Sequence, residues 1–148
     1  MQQLKDNPNL KPSSLPQEGM DEEEIIAFRA KYNKGNIFPL SFEEFLQIAG
    51  KRSHVTINND FDFLLENLEE VITNSGDEYK RPFFVFNEYD GQFDGFFLDE
   101  EKEDPDVYIL DPYGKKRGEF PLFRSANGFT FSGLVNEDIR RVKLNLAP

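Results

Sequence analysis

Three features of the sequence predict an α+β domain, with N-terminal helices packed on a mainly antiparallel sheet and a C-terminal helix closing the fold. Helical periodicity runs from Asp21 to Ile72, short β-type runs separated by turn residues follow Pro82, and a helical stripe returns at Leu134, Ile139 and Val142. At 148 residues the chain has the size of one domain, which can bury roughly 70% of the surface its unfolded form exposes. Helices are expected to cover one side of the sheet. We divide the chain into a flexible N-terminal arm, residues 1–20, and a single domain, residues 21–148.

The arm reading rests on Pro8, Pro12 and Pro16 with Ser13 and Ser14, too broken by proline for helix and too polar for a core strand. Asp21 then offers a helix cap with Glu24 three residues on, and Ile25, Phe28 and Tyr32 share one helical face. Gly35 and Asn36 end that helix. Ser41 and Glu44 read as an S-x-x-E capping box for a second helix carrying Phe42, Phe45, Leu46 and Ala49, with Gly50 as its stop. The third helix has the strongest periodicity: Phe61, Leu64, Leu65, Leu68, Val71 and Ile72 form one stripe opposite Glu66, Glu69 and Glu70, and Gly76 closes it.

Beyond Pro82 the runs 83–89 and 92–98 flank Asp90-Gly91, the composition of a tight hairpin turn. A third run, 107–111, precedes Pro112-Tyr113-Gly114, and residues 119–123 are expected as a further strand. Gly114-Lys115-Lys116-Arg117-Gly118 reads as a basic hairpin tip. The segment holding Leu134, Ile139, Val142, Arg140 and Arg141 is expected as a helix, despite the strand-like Phe129-Thr130-Phe131 before it.

Composition excludes several chemistries. With no cysteine, a disulfide framework, a thiolate metal site and a cysteine nucleophile are all impossible. No apolar run approaches the roughly 18 residues of a membrane span, and residues 1–10 lack signal-peptide order, so no membrane association and a cytoplasmic location are expected. The 16 phenylalanines, against no tryptophan, predict an aromatic core. Net charge is −11, and residues 60–104 alone carry fifteen acidic and three basic side chains. That field repels phosphate backbones, which argues against nucleic acid, and attracts basic protein surfaces. The bland reading of the same acidity is solubility.

The candidate chemical sites are weak. Asp90-Gly91-Gln92-Phe93-Asp94-Gly95 with Glu101 has part of the EF-hand spacing, but Gln92 replaces a carboxylate and the preceding run is strand-like, so a hairpin is the better reading. Asp99, Glu100, Glu101, Glu103 and Asp104 lie in a polar run that reads as a solvated loop, with partner docking as the alternative. His54 is the sole histidine, no serine sits in a G-x-S-x-G elbow, and no glycine-rich loop has phosphate-binding spacing. We therefore expect no catalytic residue, no metal and no cofactor.

The stretch Phe38-Pro39-Leu40-Ser41-Phe42-Glu43-Glu44-Phe45-Leu46-Gln47-Ile48-Ala49-Gly50, preceded by an amphipathic helix, resembles the hallmark of the SUKH superfamily (Smi/Knr type). Phe96-Phe97-Leu98-Asp99 and Val107-Tyr108-Ile109-Leu110-Asp111 are similar to that family's two consecutive strands, each ended by an aspartate. The resemblance spans about residues 21–143. It departs at Ala49-Gly50, where many relatives have Asn-Gly, and at Lys51-Arg52-Ser53-His54, which replaces a glycine-rich segment. What it implies is a SUKH-like fold and a non-enzymatic protein-binding module: an immunity protein that neutralises a basic toxin domain, nucleases included, or a regulatory scaffold of cell-wall glucan synthesis. A small-ligand-binding domain is the third reading. From charge and hairpin placement, the expected partner contacts are Glu88, Tyr89, Asp90, Asp94, Asp99, Glu100 and Glu101.

Overall fold

The computed structural model describes residues 1–76 and 78–146. The element order is α1 (Gln2–Asp6), α2 (Glu22–Tyr32), α3 (Leu40–Ala49), α4 (Phe61–Ser75), β1 (Phe83–Tyr89), β2 (Gln92–Phe97), β3 (Asp106–Leu110), α5 (Pro112–Arg117), β4 (Phe123–Thr130) and α6 (Phe131–Lys143). The four strands form one antiparallel sheet in the order β1-β2-β3-β4. The α+β class with N-terminal helices and a closing helix is the architecture observed.

Local chemistry explains most boundaries. Asp21 accepts a hydrogen bond from the Glu24 N–H at 2.8 Å while the Glu24 carboxylate accepts one from the Asp21 N–H at 3.3 Å, so the expected capping box opens α2. Asp60 caps α4 through the Phe63 N–H, and Gly76 ends it in the left-handed conformation that glycine adopts without a Cβ clash. Asp90 and Gly91 both have positive φ, the requirement of a two-residue type I′ hairpin, and Tyr89 pairs with Gln92 across the turn.

Elsewhere the structure corrects the sequence reading. Helix α3 starts at Leu40 with Pro39 as its N-cap and no side-chain cap bond, so Ser41 and Glu44 form no capping box. The carboxylate that closes this corner is Glu43, which accepts from the Phe38 N–H at 2.9 Å. Residues 114–118 are no hairpin tip: Asp111 caps Gly114, Pro112 stands in the first turn, and Gly118 ends helix α5 at φ +74°. The expected strand at 119–123 starts only at Phe123, and Phe129-Thr130 belong to it.

The core is aromatic, as the composition predicts. Phe42 stands at its centre, its ring 4.9 Å from Phe84 on β1, 5.4 Å from Phe96 on β2 and 5.4 Å from Phe131 on α6. Tilted and edge-on packing of such rings adds to the burial term. Phe93, which points the other way from Phe96's neighbour Asp94, is also fully buried, so the sheet is covered on both faces around the start of β2. Helix α4, which packs along β1 and touches α5, supplies that second cover. Residues 1–20, read above as a loose arm without helix, open with α1, which ends before the first proline, and lie along the domain: Leu4 is fully buried, α1 contacts α3 and α6, and Glu18 bridges to Arg52. Asp77, Ala147 and Pro148 lie outside the described residues.

Candidate functional site

The expected contact residues are divided among three places. Glu88, Tyr89 and Asp90 stand at the β1–β2 turn, Asp99, Glu100 and Glu101 follow the opposite end of β2, and Asp94 lies between them. Six residues of strand separate the two ends by about 20 Å. The groups are therefore two surfaces rather than one.

The β2–β3 connection is largely committed internally. Arg81 stacks on Phe97 with its guanidinium carbon 3.7 Å from the ring centroid and clasps Asp99 in two hydrogen bonds of 3.0 and 2.8 Å. The guanidinium bond holds Asp99 below the usual carboxylate range and raises Arg81 in turn. Glu100 is mostly buried; it accepts from Arg81 at 3.3 Å and from the Tyr108 hydroxyl at 3.4 Å. Asp104 accepts from the N–H and hydroxyl of Ser132 and thereby fixes the start of α6. Of the expected contacts here, Glu101 alone is exposed without an ion pair among the described residues, at φ +52°.

Asp94 turns inward. It accepts from the Asn87 amide at 3.1 Å, and burial, reinforced by the negative charge of Asp138, pushes its carboxyl above the ordinary range. Asp138 on α6 accepts from the Thr56 N–H at 3.0 Å and is pushed up by burial as well.

The hairpin tip differs. Tyr89 is 80% exposed, Asp90 is exposed, and Glu88 accepts from the Gly91 N–H at 2.9 Å, closing the turn. Glu88 and Asp90, with Gly91 and Gln92, line an open cleft of about 510 Å³ between the turn and α5, with Tyr113 and Arg117 on its far wall and Tyr89 standing outside it at the tip of the turn. The Tyr113 ring lies so close that a Cβ on Gly91 would stand 2.5 Å from its Cε2. Asp111 forms the floor, fully buried, paired with Arg124 at 2.7 Å, which also donates to Gln92 at 3.1 Å. Although burial opposes it, the Gly114 N–H and the Arg124 guanidinium hold the Asp111 carboxyl below its ordinary value. The cleft thus has Glu88 and Asp90 on one rim, Arg117 paired with Glu119 on the other, a paired ionic floor and the exposed Tyr113, with the exposed Tyr89 beside it, a composition suited to gripping a basic, partly apolar protein surface.

Sequence reasoning missed Asp111, Tyr113 and Arg117 because residues 112–118 read as a turn. Asp111-Pro112 followed by Gly114 carried the signal, an N-cap with proline in the first helical turn.

A second cavity, of about 610 Å³, lies between residues 10–14, the 54–56 loop and α6. His54 forms one wall, 3% exposed; its Nδ1 accepts from the Lys11 N–H at 3.3 Å and its Nε2 donates to the Leu15 carbonyl at 2.7 Å. Both ring nitrogens are occupied in tethering the N-terminal segment. Among the described residues no group of histidine and carboxylate side chains is arranged to hold a metal ion, and no helix is long and apolar enough to cross a membrane. No family model, no characterised protein and no solved structure matches the chain.

Proposed function

We propose that this chain is a non-enzymatic protein-binding module that uses the acidic cleft at the β1–β2 turn to cover a basic surface of another protein. The observation that carries the reading is the juxtaposition of Glu88 and Asp90 with the exposed Tyr113 over a floor whose own charges are already paired, with the exposed Tyr89 next to them at the tip of the turn. Exposed tyrosines supply large contact area at low entropic cost, and unpaired carboxylates steer a cationic partner. Together with the SUKH-like hallmark around Phe38–Gly50, this favours an immunity protein that neutralises a basic toxin domain over a regulator of cell-wall synthesis.

Co-expression with a basic toxin encoded beside this gene tests the reading. Protection of the host by the wild-type chain, lost when Glu88 and Asp90 are both changed to lysine, supports it. Protection unaffected by that double change, or absent with every neighbouring product, counts against it. The cavity beside His54 favours a second reading, a small-ligand-binding domain. A ligand screen by thermal shift, with Asp138→Asn as control, separates it from the first.

A further inference from the structure

On the far side of β1 from the turn, α4 and the start of the strand enclose a groove of about 470 Å³. One wall is Leu65, Leu68 and Ile72, at spacings of three and four along α4; the other is Tyr79 and Phe83. Leu65 is 43% exposed and Ile72, Tyr79 and Phe83 are half-buried, so the apolar lining is accessible around Leu68, which is itself buried.

The rim is acidic. Glu69 lies on the α4 wall and Glu78 on the opposite one, and both are exposed with no ion pair among the described residues. Helix α4 carries Asp62, Glu66, Glu69 and Glu70 and no basic side chain. This contrasts with the nearby Asp99 and Glu100, both held by Arg81. Among the described residues lining the groove, Lys80 is the single cation.

We propose that this groove docks a basic amphipathic helix of a partner protein. From Leu65 to Ile72 the wall spans roughly 10 Å of helix axis, which matches two turns of an opposing helix. Such a helix would seat apolar anchors at i, i+3 or i+4 and i+7 between α4 and Phe83, and set lysine or arginine at its flanks against Glu69 and Glu78. The inference rests on the protein-binding reading but concerns a separate surface, about a strand's length from Tyr89.

The chain has no tryptophan, so a synthetic helical peptide carrying one tryptophan among leucine anchors, with lysine flanks, reports its own burial. Titration with the full chain should give a saturable blue shift of the peptide's emission. The same peptide with glutamate flanks should bind at least tenfold more weakly. Leu65→Lys and, separately, Glu69→Lys should each weaken the lysine peptide about tenfold; both positions are exposed, and thermal melting of each variant verifies that it is folded. Tyr89→Ala should leave peptide binding unchanged. Absence of a blue shift, equal binding of the two peptides, or indifference to both α4 variants would overturn the groove proposal. Loss of binding in Tyr89→Ala would instead move the site to the turn. Protection against a toxin that survives in Leu65→Lys separates the fate of this groove from that of the acidic cleft.

Discussion

Glu43 is a buried charge that ties three elements of the core together. Its carboxylate is 5% exposed and accepts from Arg29 in two hydrogen bonds of 2.9 and 2.8 Å and from the Phe38 N–H at 2.9 Å. Glu43→Ala should therefore destabilise the fold by about 3 kcal/mol, since it strands a half-buried guanidinium and a buried N–H. A urea midpoint unchanged from wild type would contradict that role. His54→Ala removes the tether of Lys11 and Leu15, and it should raise amide exchange across residues 8–17 well before global unfolding. Uniform protection across that segment in the variant would show that the tether is dispensable. Asp94 gives a pH test. Its folded-state carboxyl titrates above the unfolded value, so the folded form binds the proton more tightly and ionisation at neutral pH works against folding. Asp94→Asn, which keeps an acceptor for Asn87, should stabilise the protein at pH 7, and the gain should vanish as pH falls toward about 4, the ordinary aspartate range. The carboxylate of Asp138 and the cation of Arg124 both act on Asp94, so the comparison is made at fixed salt. An equal gain at both pH values would refute the assignment.

Among the elements, those with a local cause were readable in the sequence. The capping box of α2, the stripe and glycine stop of α4 and the Asp90-Gly91 turn each declare themselves within a few residues, because the physics that builds them is short-range. Gly91→Ala at this turn should cost about 1–2 kcal/mol, combining a strained positive φ with displacement of Tyr113, and a cost near zero by thermal unfolding would contradict the close packing seen there. What sequence could not disclose depends on distant partners. Glu43 looks like the first of two ordinary acids until Arg29 arrives from α2. The acids after β2 look solvated until Arg81, Tyr108 and Ser132 claim Asp99, Glu100 and Asp104. Likewise, the proline-broken N-terminus reads as a loose arm because neither Leu4's place against α3 and α6 nor the His54 tether is local. The candidate site was half visible: Glu88, Tyr89 and Asp90 from the turn, but not the α5 wall that makes the turn a cleft.

At the scale of the whole molecule, the informative quantity is which negative charges remain uncompensated. Of the fifteen acids between residues 60 and 104, Asp62 is tied to Lys31, Asp99 and Glu100 to Arg81, and Asp104 to Ser132. Among the described residues, and apart from the helix cap Asp60, the exposed acids of this stretch without an ion pair stand along α4 (Glu66, Glu69 and Glu70) with Glu78 after it, at the β1–β2 turn (Asp90, beside the half-buried Glu88) and after β2 (Glu101 and Glu103). An acidic surface of this kind accelerates encounter with a cationic protein and loses that advantage as salt screens it. The most direct test is the association of the wild-type chain with the basic products of neighbouring genes at low and high salt, beside the Glu88→Lys, Asp90→Lys double variant. Binding of a basic protein that weakens at least tenfold in high salt and in the double variant is the expected result. Binding indifferent to both, or no binding to any basic product, would contradict an acidic cleft built to cover a cationic partner.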